Sequence, residues 1–264
     1  MLKEMLVGTG FDGVLLRLRT KAELLTQANK RSLSVGTVMN DHLSTFLVVR
    51  LCDTDKVFVD IGAHIGSIIS EVKAHSSPSK IIAFEAIPDK AKKLSSKFKD
   101  VEVYECAVSD STGLTRFFID QKLSGYSSLN KMKNSRETTV EMNLVDNLVD
   151  RNDVDVIKID IEGAELGALR GSVKLIERCK PVIMFESGPS EVLGYTKEAM
   201  WQFFESLGYQ LFIPNRLPHS AKGLSLEAFI DSHQYPRRTT NYFAVHNSRI
   251  DEIKTKAMNI LTMK

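Results

Sequence analysis

The sequence predicts an α/β domain built on a mostly parallel sheet with helices on both faces, preceded by N-terminal helices. Short apolar runs rich in Val, Ile and Phe recur at Val57–Asp60, Ile81–Glu85, Val101–Ala107, Val154–Asp160 and Pro181–Glu186. Helix-compatible stretches separate the first three runs from one another, and likewise the last two. Strands alternating with helices make βαβ units, whose crossovers cover a parallel sheet on both sides. The bulk composition agrees: 264 residues, 43% apolar and 26% charged, is ordinary globular usage. A chain this long buries enough surface to fold without disulfide or metal staples.

The elements follow in order. Residues 1–52 read as a helical extension, with Leu15, Leu18, Leu24 and Leu25, then Val38, Leu43, Phe46 and Leu47, at helix-like spacing. Residues 53–248 read as the α/β core. Within it, Thr115–Ile119 and Thr138–Met142 are two extra strands joined by a polar loop around Ser124–Arg136. Leu166, Leu169, Val173 and Ile176 lay an apolar stripe along one helix, and Pro181 opens the next strand. Tyr209–Ile213 and Asn241–Val245 close the sheet, with no clear strand between them from Pro214 to Thr240. Residues 249–264 form an amphipathic C-terminal helix. The expectation is a single domain.

Charge and cysteine usage narrow the function classes. Thirty-five basic against 33 acidic residues leave a net charge of +2, which argues against nucleic acid as the main partner. Cys52, Cys106 and Cys179 are an odd, widely spaced set that suits neither a disulfide framework nor a zinc site. The most apolar early run, Leu43–Leu51, is far shorter than the ~20 residues of a membrane span, and no leader-like segment stands out. A cytoplasmic protein with no membrane partner is expected; the C-terminal helix leaves an oligomer open.

Ligands of open α/β sheets bind outside the carboxyl ends of the strands. The first strand runs into Asp60, Gly62, Ala63, His64 and Gly66. The glycines permit a sharp turn and a close backbone approach, but the spacing is not the GxGxxG of dinucleotide cradles. Asp60 also repels phosphates there. The second strand ends at Glu85, near the position of an acid that accepts hydrogen bonds from a ribose diol. A nucleoside with free ribose hydroxyls and a cationic group fits both, and S-adenosyl-L-methionine is such a molecule. On the fourth run Lys158 and Asp160 share one face, with Glu162 just beyond. Charges on a strand buried on both sides are costly unless they pair or serve chemistry. Glu165 reads as an acid favoured at a helix start, and Glu186 ends the fifth run facing the same crevice.

Together these stretches resemble the FkbM family of S-adenosylmethionine-dependent methyltransferases. The likeness is carried by Val57–Gly66 (VFVDIGAHIG), Ala83–Pro88 (AFEAIP), Ala107–Gly113 (AVSDSTG), Ile157–Glu165 (IKIDIEGAE), Leu169–Gly171 and Pro181–Glu186. His64 stands where the family usually has Asn, and Ala86 where it usually has Pro. The resemblance implies a class I methyltransferase (Rossmann-like) sheet of seven strands, the last antiparallel. It implies an O-methyltransferase acting on a sugar or hydroxylated natural product. By analogy with the broader fold, the first turn (Asp60, Gly62, Ala63, His64, Gly66) would hold the methionine part of the cofactor. Glu85 with Ala86 would hold the ribose, and Ala107, Val108 and Ser109 would lie near adenine.

Methyl transfer to a hydroxyl needs an aligned acceptor and a base within hydrogen-bond reach. Asp160, also a cofactor contact, ranks first as that base, then Glu162 or Glu186, then His64, with Lys158 holding a partner ionised. A metal-assisted version has Asp160 and Glu186 share Mg²⁺. Rival readings are a nicotinamide-dependent oxidoreductase and a non-catalytic nucleotide-binding module. Elsewhere, Ser127 and Ser128 lie in the polar loop and Arg237–Arg238 in the late connection, where a solvated surface is the simpler reading.

Overall fold

A computed structural model describes residues 32–120, 127–128, 135–188 and 194–262, with isolated positions between 7 and 29. The helical reading of the first thirty residues and most of the Ser124–Arg136 loop fall outside the described residues. A seven-stranded sheet forms the centre. Its strands are β1 (Val57–Ile61), β2 (Lys80–Phe84), β3 (Glu102–Tyr104), β8 (Val154–Ile159), β9 (Val182–Glu186), β10 (Tyr209–Phe212) and β11 (Asn241–His246). Their order is β10-β11-β9-β8-β1-β2-β3, and β11 runs antiparallel to both its neighbours while the other pairings are parallel. This is the expected class I methyltransferase arrangement. Strand order reverses beside β1, so β1, β2 and β8 open their carboxyl ends onto one crevice.

Every residue of β1 and of β8 is buried. That is why both read as nearly continuous apolar runs, and why Asp60 and Lys158 stand out. One core cluster on one side of the sheet includes Phe185, Phe204 and Tyr242; the other includes Phe58, Leu47 and Phe243. Helix α1 (Val35–Leu51) buries Leu47, Val48, Val49 and Leu51 in the second cluster. Helices α2 (Ser67–His75) and α3 (Pro88–Lys97) follow β1 and β2 as crossovers. Among the described residues no helix is long and apolar enough to cross a membrane.

The third apolar run departs from the expected Val101–Ala107 strand. The ladder of β3 ends at Tyr104, whose carbonyl accepts the Glu85 N–H. The chain then leaves the main sheet, and Ala107–Val108 (β4) pairs in parallel with β7 (Ser135–Asn143). With β5 (Gly113–Asp120) and β6 (Ser127–Ser128), β4 and β7 make a second, four-stranded sheet. The two extra strands are therefore present and longer than expected.

The helix expected across Leu166–Ile176 is two helices. After the short α4 (Val145–Leu148) and β8, α5 (Glu165–Arg170) stops at Gly171 and α6 (Val173–Cys179) starts afresh. Asp146 causes the break from outside. Its carboxylate accepts the Lys174 and Leu175 N–H groups (both 2.9 Å), while its own N–H donates to the Gly171 carbonyl. Gly171 also lies against the Ser109 carbonyl, where an added Cβ would sit 2.0 Å from the oxygen. We expect Gly171→Ala to lower stability by about 1–3 kcal/mol through this overlap. Gly167→Ala, with Ser109 Oγ no nearer than 3.9 Å, should be neutral or stabilising. Thermal unfolding of the two variants checks the contrast.

The late connection holds a 3₁₀ turn (Pro214–Arg216) and helix α8 (Leu226–Ser232), after α7 (Lys197–Ser206). Arg238 pairs with Asp231 at 2.8 Å, as a solvated surface residue does. Helix α9 (Ile250–Thr262) ends the description and buries Ile253 and Ala257.

Candidate active site

A cleft with about 650 Å³ of space, open in part to solvent, lies over the carboxyl ends of β1, β2 and β8. Its first wall is the turn after β1. Gly62 has φ +84°, and a Cβ there would meet the Asp160 carbonyl at 2.0 Å, so only glycine allows this approach. His64 follows with φ +51°. Asn and His are among the side chains best tolerated in that region, so the family's usual Asn and the His found here meet the same backbone demand. Gly66, at φ +82°, leads into α2, and a Cβ there would strike Phe98 and Leu94.

Glu85 ties this turn to the second wall. It is 6% exposed. One carboxylate oxygen accepts the His64 N–H (2.8 Å) and the other the Ile87 N–H (2.9 Å). Burial pushes its carboxyl above the ordinary range, against the pull of those N–H groups and Lys90. Each oxygen keeps a lone pair free for a further donor.

Behind the cleft lies a buried charge cluster set by strand register. Asp60 on β1 stands beside Lys158 on β8. Lys158 Nζ lies 3.2 Å from Asp60 Oδ1, 3.6 Å from Asp160 Oδ2, and donates to the Gly62 carbonyl at 3.0 Å. Burial alone would depress the Lys158 ammonium, but Asp60, Asp160 and Glu186 together hold it above the usual lysine range. Asp60 is fully buried, with the Lys158 ammonium as its close cation. Burial accordingly raises its carboxyl despite Lys158.

Asp160 emerges from this cluster with its side chain 44% exposed. Burial would raise it, but Lys158 and a hydrogen bond from Glu186 hold it below the ordinary aspartate range. Glu186 is pushed up to about 10 by burial and by Asp160, so it keeps its proton at neutral pH and donates to that carboxylate. Glu162 is pushed up to about 7 by burial and by the charges of Asp160 and Glu165. Oxygens of Asp160, Glu162 and Glu186 lie within 4.8 Å of one another, near enough to surround a divalent cation.

A second cavity, of about 970 Å³, lies on the far side of the turn after β8 and shares Glu162 and Ala164 with the cleft. Ser109, Arg170 and Tyr195 are among its walls.

The sequence profile of the methyltransferase FkbM domain matches residues 60–211, more than half of the chain. The chain belongs to the FkbM methyltransferase family. No curated protein matches the sequence. Among solved structures it is similar to the methyltransferase FkbM from Methylobacillus flagellatus KT, at 17% identity and a TM-score of 0.47, over 74% of this chain and 44% of that one. It is also similar to the precorrin-6y C5,15-methyltransferase from Geobacter metallireducens GS-15 (18% identity, TM-score 0.39, 64% of this chain and 71% of that one). A third is M. jannaschii TYW2 in complex with AdoMet (16% identity, TM-score 0.35, 66% and 65%). The chain thus spans less than half the length of the Methylobacillus protein.

Within this FkbM domain the sequence-expected residues divide by position. Gly62, His64, Glu85, Ala86, Ala107, Val108, Asp160 and Glu162 line the cleft. Asp60, Ala63, Gly66, Lys158 and Glu186 do not: they lie behind it or beneath the turn, and Ser109 lines the second cavity instead. Lys90 and Cys106 join the cleft unforeseen. Tyr195, also unforeseen, lies thirty positions from the Glu165 it touches, a distance across which no spacing pattern speaks.

Proposed function

We propose that the protein is an S-adenosylmethionine-dependent O-methyltransferase acting on a hydroxyl of a small, sugar-like or otherwise hydroxylated acceptor. The observation that carries this reading is that two cavities meet at Glu162 and Ala164, and that the Glu162 carboxyl is pushed up to about 7. The donor set of the cleft fits the cofactor. Phe84, Ile87 and Val108 offer an apolar wall, the Glu85 carboxylate has lone pairs for a ribose diol, and Asp160 and Glu162 bring negative charge toward a cation.

S-adenosylmethionine, when bound, supplies a methyl carbon made electrophilic by its sulfonium. Glu85 and Asp160 then hold the cofactor's hydroxyl and cationic ends. The acceptor enters from the second cavity and presents its hydroxyl to Glu162, which takes the proton as the oxygen attacks. A base with a pKa near the working pH combines availability with driving force, so Glu162 replaces Asp160 as first choice. Asp160, held ionised by Lys158, is the weaker base and the better partner for positive charge. The near-neutral net charge supports a small-molecule acceptor over nucleic acid.

Thermal shift separates this from a nicotinamide enzyme, since a true ligand stabilises the fold by mass action. S-adenosylhomocysteine should raise the unfolding temperature and NAD should not; the reverse result removes the proposal. Glu85→Ala should weaken S-adenosylhomocysteine binding about 10- to 100-fold, the loss of hydrogen bonds to a charged acceptor. Methyl transfer from labelled cofactor to a panel of sugars and polyols then tests the acceptor class.

A further inference from the structure

The turn that carries Glu162 is held by two residues that the reading above does not use. Glu162 has φ +55°, a left-handed conformation that glutamate seldom adopts. Such a residue persists only when its surroundings over-determine it. Here the surroundings are specific. A single oxygen of Glu165, Oε1, accepts the N–H of Ile161 (3.2 Å) and of Gly163 (3.0 Å), the residues on either side of Glu162. The other oxygen, Oε2, accepts the Tyr195 hydroxyl at 3.1 Å. Glu165 is 1% exposed. Beside Tyr195, the Gly194 N–H donates to the Gly163 carbonyl at 2.9 Å. The chain before α7 therefore grips the turn at two points, and a buried carboxylate converts that grip into a fixed backbone.

We propose that Glu165 and Tyr195 are positioning residues: they clamp the turn Ile161–Gly163 and so present the Glu162 carboxylate where the cofactor cleft and the second cavity meet. The clamp rests on the reading of Glu162 as the base for its importance, though not for its geometry. Through it the segment after β9 acts on Glu162 without touching any reacting atom. The groups facing Glu162 are Asp160, Lys158, Glu165 and Glu186, with His64 acting on Asp160. Neither substitution below changes a charge among them.

Tyr195→Phe removes only the hydroxyl, and Glu165→Asp keeps the charge while shortening its reach to the two N–H groups. Carboxyl ¹³C NMR, with Glu162→Gln to assign the resonance, follows the titration of Glu162 without any acceptor. Its midpoint should lie near 7 in the parent protein and move at least one pH unit toward 4.5 in both variants, as the released side chain reaches solvent. Binding of S-adenosylhomocysteine should stay within about twofold of the parent. A midpoint unchanged in folded Tyr195→Phe overturns the clamp, as does a loss of S-adenosylhomocysteine binding with the Glu162 midpoint unmoved. Should the parent protein bind no S-adenosylhomocysteine, the methyltransferase reading fails, while the titration still decides whether the clamp exists.

Discussion

Lys158→Ala is expected to lower the unfolding temperature by roughly 10 °C. The ammonium is 5% exposed and lies between Asp60, Asp160 and the Gly62 carbonyl, so its removal strips the counter-charge from a fully buried carboxyl. Breaking a buried pair from one side costs about 3–5 kcal/mol, and in a domain of this size each kcal/mol is worth about 2–4 °C. Asp60, already raised by burial, would take up a proton and soften the loss without cancelling it. Replacing both partners, Asp60→Asn with Lys158→Met, should recover most of the stability, because it leaves no unpaired charge at the fully buried position, and Asp160 is 44% exposed. It should not recover methyl transfer, since Asp160 would lose the cation that holds it ionised. Differential scanning calorimetry of the three proteins is the measurement. A fall of less than about 2 °C for Lys158→Ala would show that the cluster is neutral by another route.

This pair also marks how far the sequence could be read. Lys158 and Asp160 were conspicuous as charges on a strand that is otherwise apolar, and that oddity was legible. That Asp60 is the closest partner of Lys158 was not, because it depends on β1 lying next to β8, with a register that aligns the two residues. Asp60 was expected at the rim as a cofactor contact; it lies behind the first turn, and Glu85 meets the cleft. Alternation along β8 placed Lys158 well, but extending it to Glu162, or starting a helix there, misses the left-handed turn past the strand in which Glu162 sits. The stripe from Leu166 to Ile176 is real, yet the carboxylate that divides it comes from Asp146, twenty residues upstream of the first stripe position. Local periodicity sees which face is apolar. It does not see a hydrogen-bond partner brought in by the fold.

Glu162→Gln is expected to reduce methyl transfer about 10²- to 10⁴-fold, the usual contribution of a positioned general base, with S-adenosylhomocysteine affinity little changed. The amide keeps the shape of the side chain and loses the ability to take a proton. The pH dependence carries the sharper signature. Glu162 is pushed from the ordinary glutamate value of 4.5 up to about 7, so the parent rate should rise with pH and level off above 7 as the carboxylate forms; the variant should show no such rise. The same shift acts on stability with the opposite sense. Between 4.5 and 7 the folded protein binds a proton that the unfolded chain has released, so this group's contribution to stability declines as pH rises through that window. Glu162→Gln should therefore be relatively more stable at pH 8 than at pH 5, compared with the parent. Asp160→Asn separates the two carboxylates. Asp160 is held ionised throughout this range by Lys158 and Glu186, so its loss should weaken cofactor binding and, by removing a charge that raises Glu162, move the midpoint of the remaining rate below 7. Turnover above about a tenth of the parent in Glu162→Gln, together with a flat pH profile in Asp160→Asn, would return the role of base to Asp160.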